Sequence, residues 1–166
     1  MDNSRRTDLA FKVLENVQNL IRFADAKINV LLIISGVSTT FILANFQNLY
    51  TSCLVSKIAL GLFFLSFFVF VFFSMRTISP QSDKHTGKSV PKTIYFKHIA
   101  SRIEVRDFID DYEKLDDTGF LNDLLCQVFE NSKIADKKFV SYNNSLTTMK
   151  VQIGLFFILI AIRFFI

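Results

Sequence analysis

Three long apolar runs break an otherwise polar chain. Residues 28–46, 58–75 and 151–166 are dominated by Ile, Leu, Val and Phe, and charge gathers between and before them. The first run, "INVLLIISGVSTTFILANF", has 19 residues and no charge. As a helix it measures about 28 Å, close to the thickness of a bilayer's hydrocarbon core. The second, 58–75, is uncharged and holds seven Phe. The connection between them, "QNLYTSCLVSK", is short, so the pair is expected to form an antiparallel transmembrane hairpin. The third run, "VQIGLFFILIAIRFFI", is shorter and carries Arg163. Started at Leu146, it reaches spanning length, with Lys150 and Arg163 snorkelling at its two ends. A helix lying in the interface is the alternative for this segment.

The polar parts also read as helices. Before the first run, Leu9, Val13, Val17, Leu20, Ile21 and Ala24 recur at spacings of three and four, which predicts an amphipathic helix. No Gly or Pro separates it from the apolar run, so one helix is expected to continue through both. Pro80 closes the second run, and "PQSDKHTGKSVP" reads as a flexible loop. Helical spacing through Ile99, Ile103, Phe108 and Tyr112 follows. The acidic cluster Asp110, Asp111, Glu113, Asp116 and Asp117 then leads to a turn at Thr118–Gly119. From Phe120 a long stripe begins, with Leu121, Leu124, Leu125, Val128, Ala135, Phe139, Tyr142 and Leu146, and with Asp117 or Thr118 as its N-cap. It too is expected to run straight into an apolar segment. The fold class is therefore an all-α membrane protein. Its parts are an N-terminal amphipathic helix (1–27), a transmembrane hairpin (28–75, spans 28–46 and 58–75), a cytoplasmic helical region (76–145) and a C-terminal third transmembrane or membrane-associated helix (146–166).

Composition agrees: of 166 residues, 51% are hydrophobic and 20 are Phe. Basic residues set the orientation. Segment 1–27 carries Arg5, Arg6, Lys12, Arg22 and Lys27, and 76–150 carries 12 bases, whereas the hairpin connection has only Lys57. Both basic segments are expected on the cytoplasmic side, and the C-terminus outside. The N-terminus lacks the early apolar segment of a secretory signal peptide. The net charge of +4 conceals 19 bases interleaved with 15 acids, which does not favour nucleic-acid binding.

No catalytic constellation is visible, so an enzyme is not expected. The five Gly do not cluster into a phosphate loop. His85, His98, Cys53 and Cys126 stand at no metal-ligand spacing, and the acidic run 110–117 lacks the spaced ligands of a calcium loop. No metal or cofactor is expected. Polarity inside the first span is more informative. Asn29, Ser35, Gly36, Ser38, Thr39, Thr40 and Asn45 are small or polar, and Asn29, Gly36 and Thr40 fall near one face. Such a face packs helices within or between chains, or lines a pore in an oligomer. Asp25 and Lys27 stand where helix meets apolar run, either as an interfacial anchor or as a coupling point.

The chain resembles the transmembrane effectors of the Pycsar anti-phage systems. The resemblance rests on "FADAK" followed at once by an apolar span, a second span ending near Pro80, "IYFKHIA", "FLNDLLCQVFENSKIADKKF" and a closing apolar helix, in that order, over about residues 9–162. The residues that carry it are Ala24, Asp25, Lys27, Tyr95, Phe96, Lys137, Lys138 and Phe139. It implies a bacterial inner-membrane protein, activated by cyclic UMP or cyclic CMP, that impairs the membrane and causes abortive infection. For such a ligand Lys97, Arg102, Lys133, Lys137 and Lys138 are candidates to supply charge, and Tyr95, Phe96 and Tyr142 to stack on the base. Region 76–150 departs from known sensors in having no recognisable cyclic-nucleotide-binding cassette. The implied partners are the lipid bilayer, a cyclic pyrimidine mononucleotide and further copies in a homo-oligomer. A constitutive membrane anchor and a ligand-independent, holin-like pore are the competing functions.

Overall fold

The computed structural model describes residues 3–79, 99–100 and 103–165. They are almost wholly helical. Helix α1 runs over Asn3–Ala44, α2 over Phe46–Ser52, α3 over Leu54–Ile78, α4 over Val105–Glu113 and α5 over Asp117–Phe165. Both expected continuities hold: α1 and α5 pass from charged sequence into apolar sequence without a break. By length and composition α1, α3 and α5 can each cross a membrane.

The chain divides into two compact units, Met1–Ile21 with Gln81–Asp136, and Arg22–Pro80 with Lys137–Ile166. In the first unit Ala10, Leu14 and Leu124 form a small core, flanked by Leu121 and Val128. The rings of Phe11 and Phe120 lie 6.0 Å apart. The inward stripe of α1 here is Ala10 and Leu14, whereas Leu9, Val13 and Leu20 point outward. Sequence spacing could not separate these faces, because both repeat with a period of three and four. The start of α5 also differs from expectation. Asp116, not Asp117 or Thr118, caps it, accepting a hydrogen bond of 2.9 Å from the Gly119 amide. A Cβ at position 119 would come within 2.8 Å of that carboxylate oxygen, so glycine is what lets the cap close. The helix expected from Ile99 through Tyr112 is interrupted, since Glu104 has extended backbone (φ −121°, ψ 144°) and α4 starts only after it.

In the second unit the three long helices pack together. Ile28, Phe70 and Met149 make one cluster, joined by Leu31, Leu32, Val71, Tyr142 and Ile153. Ile42, Leu49, Ala59, Leu60, Phe63 and Leu159 make another. Ile28 meets Phe70 and Ile42 meets Phe63, so α1 and α3 are antiparallel; Met149 and Leu159 follow in the same order as Ile28 and Ile42, so α1 and α5 are parallel. The expected hairpin is present. Its connection contains the short helix α2, whose buried Leu49 closes one end of the core. Extended Cys53 then turns the chain, its sulfur accepting the Ser56 amide proton, while the Ser56 hydroxyl donates back to the Leu49 carbonyl. The outward faces of this unit carry Ile33, Val37, Phe68, Phe72 and Phe157, all exposed. Lipid, not water, is the medium such faces fit.

Candidate functional site

Two polar contacts interrupt the apolar packing of the second unit, both between α1 and α5. The first joins Asp25 and Lys138. Lys138 is the one charged side chain buried among the described residues; its side chain is 7% exposed and that of Asp25 is 37% exposed. The Lys138 ammonium donates to Asp25 Oδ1 at 2.5 Å. Helical spacing puts Lys138 on the same inward stripe as Ser145, Met149, Gln152 and Leu159, so its stem has nowhere to go but between helices. Removing an ammonium from water costs several kcal/mol, about what a well-placed carboxylate returns. Asp25 is therefore matched to a helix far away in sequence, not to its neighbour Lys27. Lys27 is exposed and lies over the Phe23 ring, 4.2 Å from its centroid.

The second contact lies inside the span. The Ser35 hydroxyl donates to Gln152 Oε1 at 2.9 Å, and Gln152 Nε2 donates to Thr39 Oγ1 at 3.4 Å. Thr39 and Ser38 in turn donate to the Ser35 carbonyl. Gln152 is fully buried. In lipid such a side chain needs partners from another helix, and small hydroxyl residues provide them at close approach. Sequence spacing alone gives Gln152 no role, although it is the one amide side chain in its apolar run.

The face expected from Asn29, Gly36 and Thr40 points elsewhere. All three residues are exposed, and a Cβ on Gly36 would meet nothing within 4 Å. Within this chain the working polar face is instead Ser35, Ser38 and Thr39.

The residues considered for ligand contact are dispersed. Tyr95, Phe96, Lys97 and Arg102 lie outside the described residues. Lys133 is exposed in the first unit, with its ammonium 4.4 Å from the Phe129 ring centroid. In the second unit Lys137 is exposed, Lys138 is engaged by Asp25, and the Tyr142 ring meets Phe139 edge-on at 6.4 Å. A pocket in the first unit, lined by Asn3, Ser4, Thr7, Asp8, Asp117 and Phe120, places two carboxylates and no cation where a phosphate would sit. Among the described residues no group of His, Cys, Asp and Glu is arranged to hold a metal ion.

Helices α1 and α5 thus run parallel, each passing from charged into apolar sequence, and Asp25 and Lys138 join them on the charged side of that change. Residues 9–165 match the Pycsar effector protein domain. The chain belongs to the Pycsar effector family. The Pycsar effector protein EcPycTM of Escherichia coli is 27% identical over 172 residues, covering 98% of this chain and 92% of that protein. No solved structure matches the chain significantly. As a Pycsar effector with three candidate spans, the protein is a membrane effector of the Pycsar anti-phage system. The family match takes in both contacts described above, the Asp25–Lys138 pair and the Ser35–Gln152–Thr39 cluster.

Proposed function

We propose that this Pycsar effector impairs the bacterial inner membrane when cyclic UMP or cyclic CMP activates it, so that an infected cell dies before phage mature. In this reading 28–46, 58–75 and 146–166 span the membrane, 1–27 and 76–145 are cytoplasmic, and several copies act together. No step of the reaction is catalytic. The ligand changes a packing equilibrium, which requires that it bind one arrangement of the helices more tightly than another.

The observation that carries this reading is the buried Lys138–Asp25 pair, which joins α1 at the edge of its apolar run to α5 eight residues before its span. A cyclic mononucleotide brings one negative charge. Placed near Lys137 and Lys138, its phosphate competes with Asp25 for the buried ammonium. The carboxylate is a third exposed and can return to water; the ammonium cannot without moving its helix. Exchange of one anion for another therefore alters how α1 and α5 meet on the cytoplasmic side of the spans. Asn29, Gly36 and Thr40, exposed on α1, are then available for contact between copies or with a conducting path.

Direct binding tests the proposal. Detergent-solubilised protein is titrated with cyclic UMP, cyclic CMP and cyclic AMP. One of the pyrimidine nucleotides is expected to bind, and Lys138→Met to weaken it by about tenfold or more, the scale of one charge-assisted contact. No binding of either pyrimidine nucleotide to folded protein would remove ligand gating from the account.

A further inference from the structure

Helix α1 carries a second apolar stripe, and nothing among the described residues covers it. Leu9, Val13, Asn16 and Leu20 are spaced 4, 3 and 4 apart, a heptad pattern in its own right. All four are exposed, Leu9 at 46%, Val13 at 46% and Leu20 at 48%. The same phase passes through exposed Phe23 and Lys27, where a charge ends the seam, and then through Val30, Ile34, Val37 and Phe41, where the helix enters its apolar run and lipid is the natural cover. Lipid does not reach the early part. At 42 residues α1 is about 63 Å long, and the hydrocarbon core accommodates about 30 Å of it. Single exposed apolar residues need no explanation, but a repeating seam of them does.

We infer that Leu9, Val13, Asn16 and Leu20 form an interface with the same stripe of a second copy of this chain. Copies inserted into one membrane by the same rules present α1 in the same direction, so the pairing is parallel by construction. A 3,4 repeat is what a parallel helix pair requires, since 3.5 residues per turn keep one seam facing its partner. Asn16 fits a copy better than a foreign apolar helix. Its amide carries both a donor and an acceptor, so two Asn16 side chains facing one another across a two-fold axis satisfy each other. One polar residue in an apolar seam also fixes its register, at some cost in stability.

The test uses the full-length protein in membranes with no nucleotide added, so its outcome does not depend on ligand gating. Cys53 and Cys126 are replaced by Ser, which preserves the cap at position 53. Single cysteines are then placed at Leu9, Val13, Asn16 and Leu20, and at exposed Gln18 on the far side of the helix. On mild oxidation the four seam positions should give disulfide-linked dimer at about fivefold or more above Gln18. In the Val13→Cys protein, adding Asn16→Asp should cut that dimer about tenfold by facing two charges across the seam, with membrane insertion and helix content unchanged. Three results would overturn the inference: monomer at every position; adducts to a different protein; or dimer formation at Gln18 equal to that on the seam.

Discussion

Lys138 reaches across from α5 to set its ammonium 2.5 Å from the Asp25 carboxylate, and that ammonium is buried while the carboxylate is partly open to solvent. The asymmetry predicts unequal consequences. Asp25→Ala strands a buried charge and should destabilise the protein by about 3 kcal/mol, the low end for a broken buried pair because water reaches one side. Lys138→Met leaves only a carboxylate that can rehydrate, and should cost less. Asp25→Ala combined with Lys138→Met should recover most of the loss. Thermal unfolding in detergent checks all three; equal losses for the two single variants would contradict the assignment.

Gln152→Leu should destabilise by only about 1 kcal/mol. Polar contacts between helices in membranes contribute about that much, the Thr39 hydroxyl already donates to its own helix, and the Ser35 hydroxyl can turn back to do the same. Ser35→Ala should cost a similar amount, and the double variant less than the sum, because both changes delete the same Ser35–Gln152 hydrogen bond. A double-variant cycle on unfolding midpoints measures it.

Gly36→Ala should leave the protein as stable or more stable, by up to about 1 kcal/mol, since the added methyl meets open space and glycine is a poor helix former. Gly36→Leu should likewise be tolerated by the folded protomer, and should not disturb a dimer formed through Leu9, Val13, Asn16 and Leu20, which occupy a different face. A lower unfolding temperature for Gly36→Ala would show a close contact at that position.

Leu124 and Leu125 are adjacent in sequence and opposite in consequence. Leu124 is fully buried against Ala10 and Leu14, so Leu124→Ala should cost about 2–4 kcal/mol. Leu125 is exposed, and Leu125→Ala should stay within about 0.5 kcal/mol. Hydrogen exchange or limited proteolysis of the first unit distinguishes them.

Much of this fold was legible in the sequence, because apolar runs of spanning length and unbroken helical spacing are strong, local signals. The two long helices and the hairpin follow from them. What the sequence concealed is choice of face and choice of partner. Leu9 and Ala10 both begin stripes of period three and four, and only packing shows that Ala10 and Leu14 turn inward. Asp25 has Lys27 two residues away, yet its partner lies 113 residues on. Gln152 in an apolar run was a visible oddity whose meaning depends on Ser35 and Thr39 arriving from another helix. The short helix α2 and the break at Glu104 are set by turns that carry no Gly or Pro. The family was visible in ordered fragments such as "FADAK" and "NSKIADKKF", and the match over residues 9–165 extends it to nearly the whole chain.

Membrane potential is the most direct test of the central claim, that a cyclic pyrimidine nucleotide switches this protein from harmless to damaging. A voltage-sensitive dye is followed in cells expressing the protein while a cyclase is induced to make cyclic UMP or cyclic CMP. Depolarisation is expected within minutes of synthesis of one of them, absent without nucleotide, and weakened in Lys138→Met protein that still reaches the membrane. Unchanged potential with both nucleotides present, or depolarisation on expression alone, would contradict the account.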